Sequence, residues 1–306
     1  MVRVRSAPER CAPGDRVGNY VIEHELGPCG AGVLYEVAHV VLPRRAVMKV
    51  MHAALAAYPA FAVQLLREAC LLEAMRHPGI PKVFESGRLA DGRPYFTAEL
   101  VEGEPLAEVL AGGPLEVDDV IALVRDLAEL LEHAHRRGVV HRSLMPERVV
   151  LADRAWVTDW SDARTHDAAT SIPHVPTPGS RNYVAPELVR GDAVDDRADI
   201  YALGVIAYQA LTGELPFAIA TLADGVTPHA PVATRCTLPP GLATLVDQML
   251  ARDRFDRPTS AEVRVALEVL TPAPLPPPRA RKLRWTPAFG TATPDEPPDD
   301  FGFAPS

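Results

Sequence analysis

The sequence predicts an α+β chain in two unequal lobes: a small antiparallel β-lobe with one main helix, then a larger, mostly α-helical lobe. Two observations carry that expectation. Short β-rich runs separated by Gly and Pro turns fill residues 17–101, with a single helical stretch among them. After Gly103 the character changes to long apolar-faced helices, which need a core of their own.

Residues 1–16 contain Pro and Arg without periodicity and read as a flexible lead-in. The runs YVIEHEL, VLYEVAHV and RAVMKVM follow as strands. Ala60–Arg76 is an amphipathic helix with Phe61, Leu65, Leu72 and Met75 among its apolar positions, stopped at His77-Pro78. KVFESGRL and PYFTAELV are joined by Asp91-Gly92, a hairpin signal. A five-stranded antiparallel sheet with one helix results, in a lobe spanning 17–102. The second lobe, 103–270, holds helices at Val117–Arg137, Ala198–Thr212, Gly241–Arg252 and Ser260–Leu270, and the lobes meet at a cleft bridged by Glu99–Gly103. From Thr271 to Ser306 there are ten prolines, a composition that cannot bury a core. That tail, with PAPLPPPRARKLR inside it, reads as a solvated linker or a polyproline ligand.

The net charge of −9 argues against a general nucleic-acid binder, which needs surplus Lys and Arg. Cys11, Cys29, Cys70 and Cys236 are scattered without a CxxC pair, so neither a zinc site nor a disulfide framework is expected, and a reduced, cytoplasmic setting is. The basic N-terminus lacks an apolar run for a signal peptide, and no stretch is long and apolar enough to span a bilayer.

Six motifs occur in order: LGPCGAGVLYEV (26–37), AVMKV with Lys49, REACLLEAMRHP with Glu68, HRSLMPER with His141, TDWSDAR with Asp159, and SRNYVAPE (180–187). Over about residues 17–270 the chain thereby resembles protein kinases, specifically bacterial serine/threonine kinases of the eukaryotic-like type. The resemblance implies the two-lobed kinase fold and a nucleotide site at Leu26, Gly27, Gly30, Gly32, Leu34, Val47, Lys49, Glu68, Glu99, Val101 and Val150, with Ala98 as gatekeeper. It implies that Lys49 holds the α- and β-phosphates and pairs with Glu68, and that Asp159 is the metal ligand. Asp199 and Arg257 match anchors of the helical lobe, with Glu187–Arg257 a buried pair.

The departures from the motif fall on the chemistry. Cys29 takes a glycine position in the nucleotide loop, as a passive small residue or a redox handle. In the catalytic loop Ser143 replaces the aspartate base, Met145 the lysine that steadies the γ-phosphate, and Arg148 the magnesium-binding asparagine. A positioned general base is worth about 10²–10⁴-fold, so losing it alone cripples transfer. The expectation is a pseudokinase that binds ATP at low affinity with at most one Mg²⁺, Lys49 and Arg148 offsetting phosphate charge. Its partners would be proteins, such as an active kinase docking on Ala60–Arg76 or the helical lobe, or a phosphoprotein-binding module. The alternatives are a serine/threonine kinase with a displaced base such as Asp162, or a nucleotidyl transferase. Thr170, Ser171 and Thr177 are candidate phosphorylation sites, with Arg142, Arg164 or Arg181 as phosphate partners.

Overall fold

The computed structural model describes residues 10–165, 180–217 and 229–270. The candidate phosphorylation sites and the proline-rich tail therefore lie outside the described residues.

The first lobe is a sheet of six strands, ordered β1-β2-β3-β4-β6-β5 and antiparallel throughout. These are β1 (Arg16–Val17), β2 (Tyr20–Cys29), β3 (Gly32–His39), β4 (Arg45–Met51), β5 (Val83–Arg88) and β6 (Pro94–Glu99). The expected count was five. The extra strand is a two-residue edge piece, Arg16 opposite Val21 and Val17 opposite Tyr20, too short to show a period in sequence. The expected lead-in is thereby corrected at its end: Ala12, Gly14, Asp15 and Ile22 exchange backbone and carboxylate hydrogen bonds that strap residues 12–15 to β2. Register shifts at Ile22/His24 and Glu25/Gly27 bulge β2, which strengthens the local twist.

Helix α1 (Pro59–Met75) packs on one face of this sheet. Pro59 suits the first helical turn, where its missing N–H is not needed. Leu65, Glu68, Ala69, Leu72 and Met75 recur every three or four residues and are buried. Arg76 ends the helix in the left-handed region at φ 35°, and Pro78 prevents resumption.

The second lobe contains α2 (Leu106–Ala111), α3 (Val117–His135), α4 (Pro186–Arg190), α5 (Arg197–Thr212), α6 (Pro240–Met249) and α7 (Ser260–Leu270). The short strands β7 (Glu104–Pro105), β8 (Val139–Val140), β9 (Val149–Leu151), β10 (Ala155–Val157) and β11 (Arg164–Thr165) line its upper edge, ordered β10-β9-β7 and β11-β8. Helix α3 carries Asp118 and Asp119 in its first turn and His133 and His135 in its last, matching its dipole. Helix α5 is buried nearly all round, from Ala198 to Leu211. At Gly204 an added Cβ would lie 2.8 Å from Cβ of Met249, so glycine there lets α5 and α6 approach closely.

Two apolar clusters result. One sits on the far face of the sheet: Val17, Tyr20, Ile22, Val33, Tyr35, Val37, Ala46, Met48, Val50 and Tyr95. The other is continuous from Leu65, Leu72, Phe96 and Ala98 in the β-lobe through Trp160 to α3, α5, α6 and α7. The lobes share this core, which fixes the cleft between them.

Candidate functional site

Strand register selects what faces the cleft. Side chains alternate across a strand, and the pairs Leu34↔Lys49, Lys49↔Phe96, Glu36↔Val47 and Val47↔Ala98 put Leu34, Val47, Lys49, Phe96 and Ala98 on one face. Val33, Tyr35, Ala46, Met48 and Val50 take the other, apolar face. Lys49 is thus sent toward α1 and the second lobe.

Its ammonium donates to both oxygens of Glu68, at 2.9 and 2.8 Å, and to Oδ1 of Asp159 at 3.0 Å. Burial of Lys49 works against its charge, yet Asp159 and Glu68 hold it well above the usual lysine range. Asp159 is buried too, but Lys49 and Arg148 hold it well below the usual carboxylate range. Glu68 shares its lysine with Asp159 and has no second cation, so burial pushes it up to about 7. The sheet lysine, the α1 glutamate and the aspartate after β10 therefore meet at one point, although 110 residues separate Lys49 from Asp159.

Both oxygens of Asp159 are occupied by the chain itself. Oδ1 also accepts the Ser161 hydroxyl at 2.5 Å and the Ser161 amide at 3.2 Å. Oδ2 lies 3.1 Å from Nε of Arg148. Nη2 of Arg148 reaches Asp162 at 3.0 Å, while Nη1 is buried with no acceptor. Pro146 starts a short 3₁₀ turn, Pro146–Arg148, which aims the arginine inward before β9 begins. Magnesium wants near-octahedral oxygen ligands and keeps several waters. Here one oxygen of the carboxylate it would use already accepts three donors, the other is ion-paired with Arg148, and a cation stands where the kinase motif has a neutral oxygen ligand. Among the described residues no group of three or more His, Cys, Asp or Glu side chains is arranged to hold a metal ion. The residues present do not fit Mg²⁺.

The nucleotide loop lies close over this cluster. β2 and β3 join through a tight hairpin, Cys29 opposite Gly32, with Gly30 at φ 56°. A Cβ at Gly30 would fall 2.7 Å from the Ser161 hydroxyl and 4.0 Å from the Lys49 ammonium, so only glycine fits. Burial, reinforced by Asp159, pushes the Cys29 thiol up to about 12, which keeps it protonated and favours the passive reading over a redox handle. Leu34, Val47, Val101 and Val150 are partly buried apolar residues and Leu26 is 46% exposed, a set able to cover a flat ring. Ala98 is buried opposite Val47. Glu99 is tied to β5's approach: its amide donates to the Lys82 carbonyl at 2.8 Å and its carboxylate accepts from the Lys82 amide at 3.4 Å. Gly27 lies in open space, whereas a Cβ at Gly32 would sit 2.8 Å from the Val50 carbonyl.

The catalytic-type loop is held from below. Asp199, at the start of α5, accepts the amides of His141 at 2.8 Å and Arg142 at 2.7 Å. Arg142 adopts φ 69°, a left-handed conformation that a non-glycine residue holds only where its surroundings impose it. His141 is buried against Trp160, ring centroids 4.6 Å apart, and hydrogen-bonds the Asp159 carbonyl at 2.9 Å. On this well-fixed loop Ser143 is buried and its hydroxyl has no partner. Met145 is buried in the lobe's core and contributes no charge. Asp162, the expected stand-in base, is paired with Arg148. The Glu187–Arg257 pair is present, a buried fork at 2.7 and 2.9 Å.

Three contributors were not read from sequence. Gln64 donates to the Ser161 carbonyl at 3.0 Å; it sits one turn before Glu68 on the same face of α1, a spacing that could have revealed it. The grip of Ser161 on Asp159 needed the turn geometry. His135 at the end of α3 bonds Asp199 at 2.8 Å, a contact spanning 64 residues that no local pattern signals.

This geometry is that of the protein kinases. The protein kinase domain profile matches residues 20–267, and the chain belongs to that family. It is 33% identical over 279 residues to the serine/threonine-protein kinase Pkn1 of Myxococcus xanthus, across 85% of this chain and 40% of that protein. It is also 33% identical over 205 residues to PknB of Mycobacterium leprae, across 65% of this chain and 33% of that protein. The chain thus spans well under half the length of these relatives. The PknI kinase domain of Mycobacterium tuberculosis superposes with a TM-score of 0.66 at 27% identity, covering 86% of this chain and all of that one. Among the described residues no helix is long and apolar enough to cross a membrane.

Proposed function

We propose that this chain is a pseudokinase domain: it binds adenine nucleotide at low affinity and acts in signalling through conformation and protein contacts, as an allosteric partner or scaffold. The observation that supports this most is the double substitution around the phosphoryl site. Ser143 stands at the base position without a partner, and Arg148 is ion-paired to Asp159 at the metal position. A neutral hydroxyl takes no proton from a substrate hydroxyl near neutral pH, and Asp162 is already engaged by the arginine. The anchors of the fold are kept beside these losses: Lys49–Glu68, Asp199 and Glu187–Arg257.

The second reading, an active serine/threonine kinase, draws on the assembled Lys49–Glu68 pair and on relatives named as kinases. Labelled ATP and a generic basic protein substrate decide between them. The triple variant Ser143→Asp/Met145→Lys/Arg148→Asn serves as comparator. On the pseudokinase reading the wild type incorporates no label above background. Incorporation by wild type that Asp159→Ala abolishes establishes the active kinase instead.

A further inference from the structure

We infer that the guanidinium of Arg148, helped by the Ser161 hydroxyl, is a built-in replacement for the divalent cation, so that nucleotide binds here without metal. This rests on the nucleotide-binding part of the reading above and adds what the phosphates are held by.

Three observations converge. Neither oxygen of Asp159 stands free: Oδ1 accepts from Lys49 and twice from Ser161, and Oδ2 is ion-paired with Arg148. Arg148 is itself 7% exposed and pinned on two sides, by Asp159 at 3.1 Å and Asp162 at 3.0 Å, so its charge cannot swing out to make room. Its remaining nitrogen, Nη1, is a buried donor without an acceptor. Buried donors are almost always satisfied, and an unsatisfied one beside a cationic cluster is a place for an anion to add. A phosphate oxygen is the fitting acceptor, because Lys49 lies across the same carboxylate and the glycine loop closes above it. With the two cations supplied by side chains, metal is not needed to bridge protein and phosphate. Magnesium in solution then acts only on the free nucleotide, where it neutralises the charge that Arg148 would otherwise meet.

The order of affinities with and without metal is the test. Isothermal titration of ATP into the full chain, in excess EDTA and again in excess Mg²⁺, should give a dissociation constant in EDTA equal to or tighter than that in Mg²⁺. The electron paramagnetic resonance signal of free Mn²⁺ should not fall on adding wild-type protein, either to Mn²⁺ alone or to Mn²⁺ with ADP. Arg148→Asn should reverse the order, losing tenfold or more in EDTA and regaining affinity with Mg²⁺. Arg148→Met, a similar volume without charge, should lose affinity in both. The two wild-type arms decide even if a variant fails to fold. A tenfold tightening of wild type by Mg²⁺, or capture of Mn²⁺ by the wild-type complex, overturns this inference alone and leaves nucleotide binding standing. No ATP binding in either buffer overturns both.

Discussion

Lys49 and Arg76 are both cations paired with a glutamate, at 2.8 and 2.7 Å, and their surroundings make them unequal. Lys49 and Glu68 are almost fully buried, whereas the Arg76 and Glu73 side chains are 79% and 54% exposed. Deleting the buried cation leaves Glu68 without a counter-charge and Asp159 with Arg148 alone, so Lys49→Met should cost about 3–5 kcal/mol in urea unfolding. Arg76→Ala should change stability by no more than about 0.5 kcal/mol, because water already screens that pair. The arginine at 148 shows how far a single residue can be read. Its identity told that a cation had replaced a neutral ligand. That its fork would hold Asp159 and Asp162 at once depended on the turn at Pro146, which only the folded chain displays.

At the scale of elements, β-rich runs and the Gly and Pro turns between them did most of the sequence's work. The strands were legible as such runs, but the register that sets Leu34, Val47 and Lys49 on the face opposite the apolar cluster belongs to the fold. The edge strand Arg16–Val17 was not legible, since two residues carry no period. Helix α1 was placed within a residue by its apolar spacing and its Pro78 stop. The contact between α5 and α6 is set by what is missing from Gly204. Gly204→Ala would drive a methyl to 2.8 Å from Met249 Cβ and force the helices apart, at about 1–3 kcal/mol, visible as a lowered melting temperature with the fold retained.

At the scale of the whole molecule, the seam between the lobes carries a titrating group. His77, in the connection from α1 to β5, is buried, accepts the Gly79 amide on Nδ1 at 3.1 Å, and lies 4.9 Å from the His133 ring on α3. Burial, then His133, Arg154 and Arg137, lower it to about 4; Glu129 at 3.8 Å is the facing carboxylate. In the unfolded chain a histidine protonates near 6.5, so between about 6.5 and 4 the unfolded state binds the extra proton. Stability from this group is therefore fully present above pH 6.5 and lost as pH falls toward 4, by about 3 kcal/mol in all. Urea midpoints across that window should fall with acid for wild type and flatten for His77→Asn, whose amide oxygen can still accept the Gly79 amide. An unchanged slope in the variant assigns the acid sensitivity elsewhere.

The amino-acid sequence by itself determined the two-lobed architecture, the kinase family and the positions where chemical residues had been exchanged, because periodicity and motif order are local properties of a chain. The tertiary structure alone decided which groups those exchanged residues meet. The ion pair Lys49–Asp159 joins residues 110 apart on the two lobes, and Arg148–Asp159 is set by the turns around β9 and β10, so which charges meet in a dry interior is fixed by packing. Coulomb attraction is strong there for the same reason that it cannot be read from composition: it depends on distance and burial, and both belong to the fold.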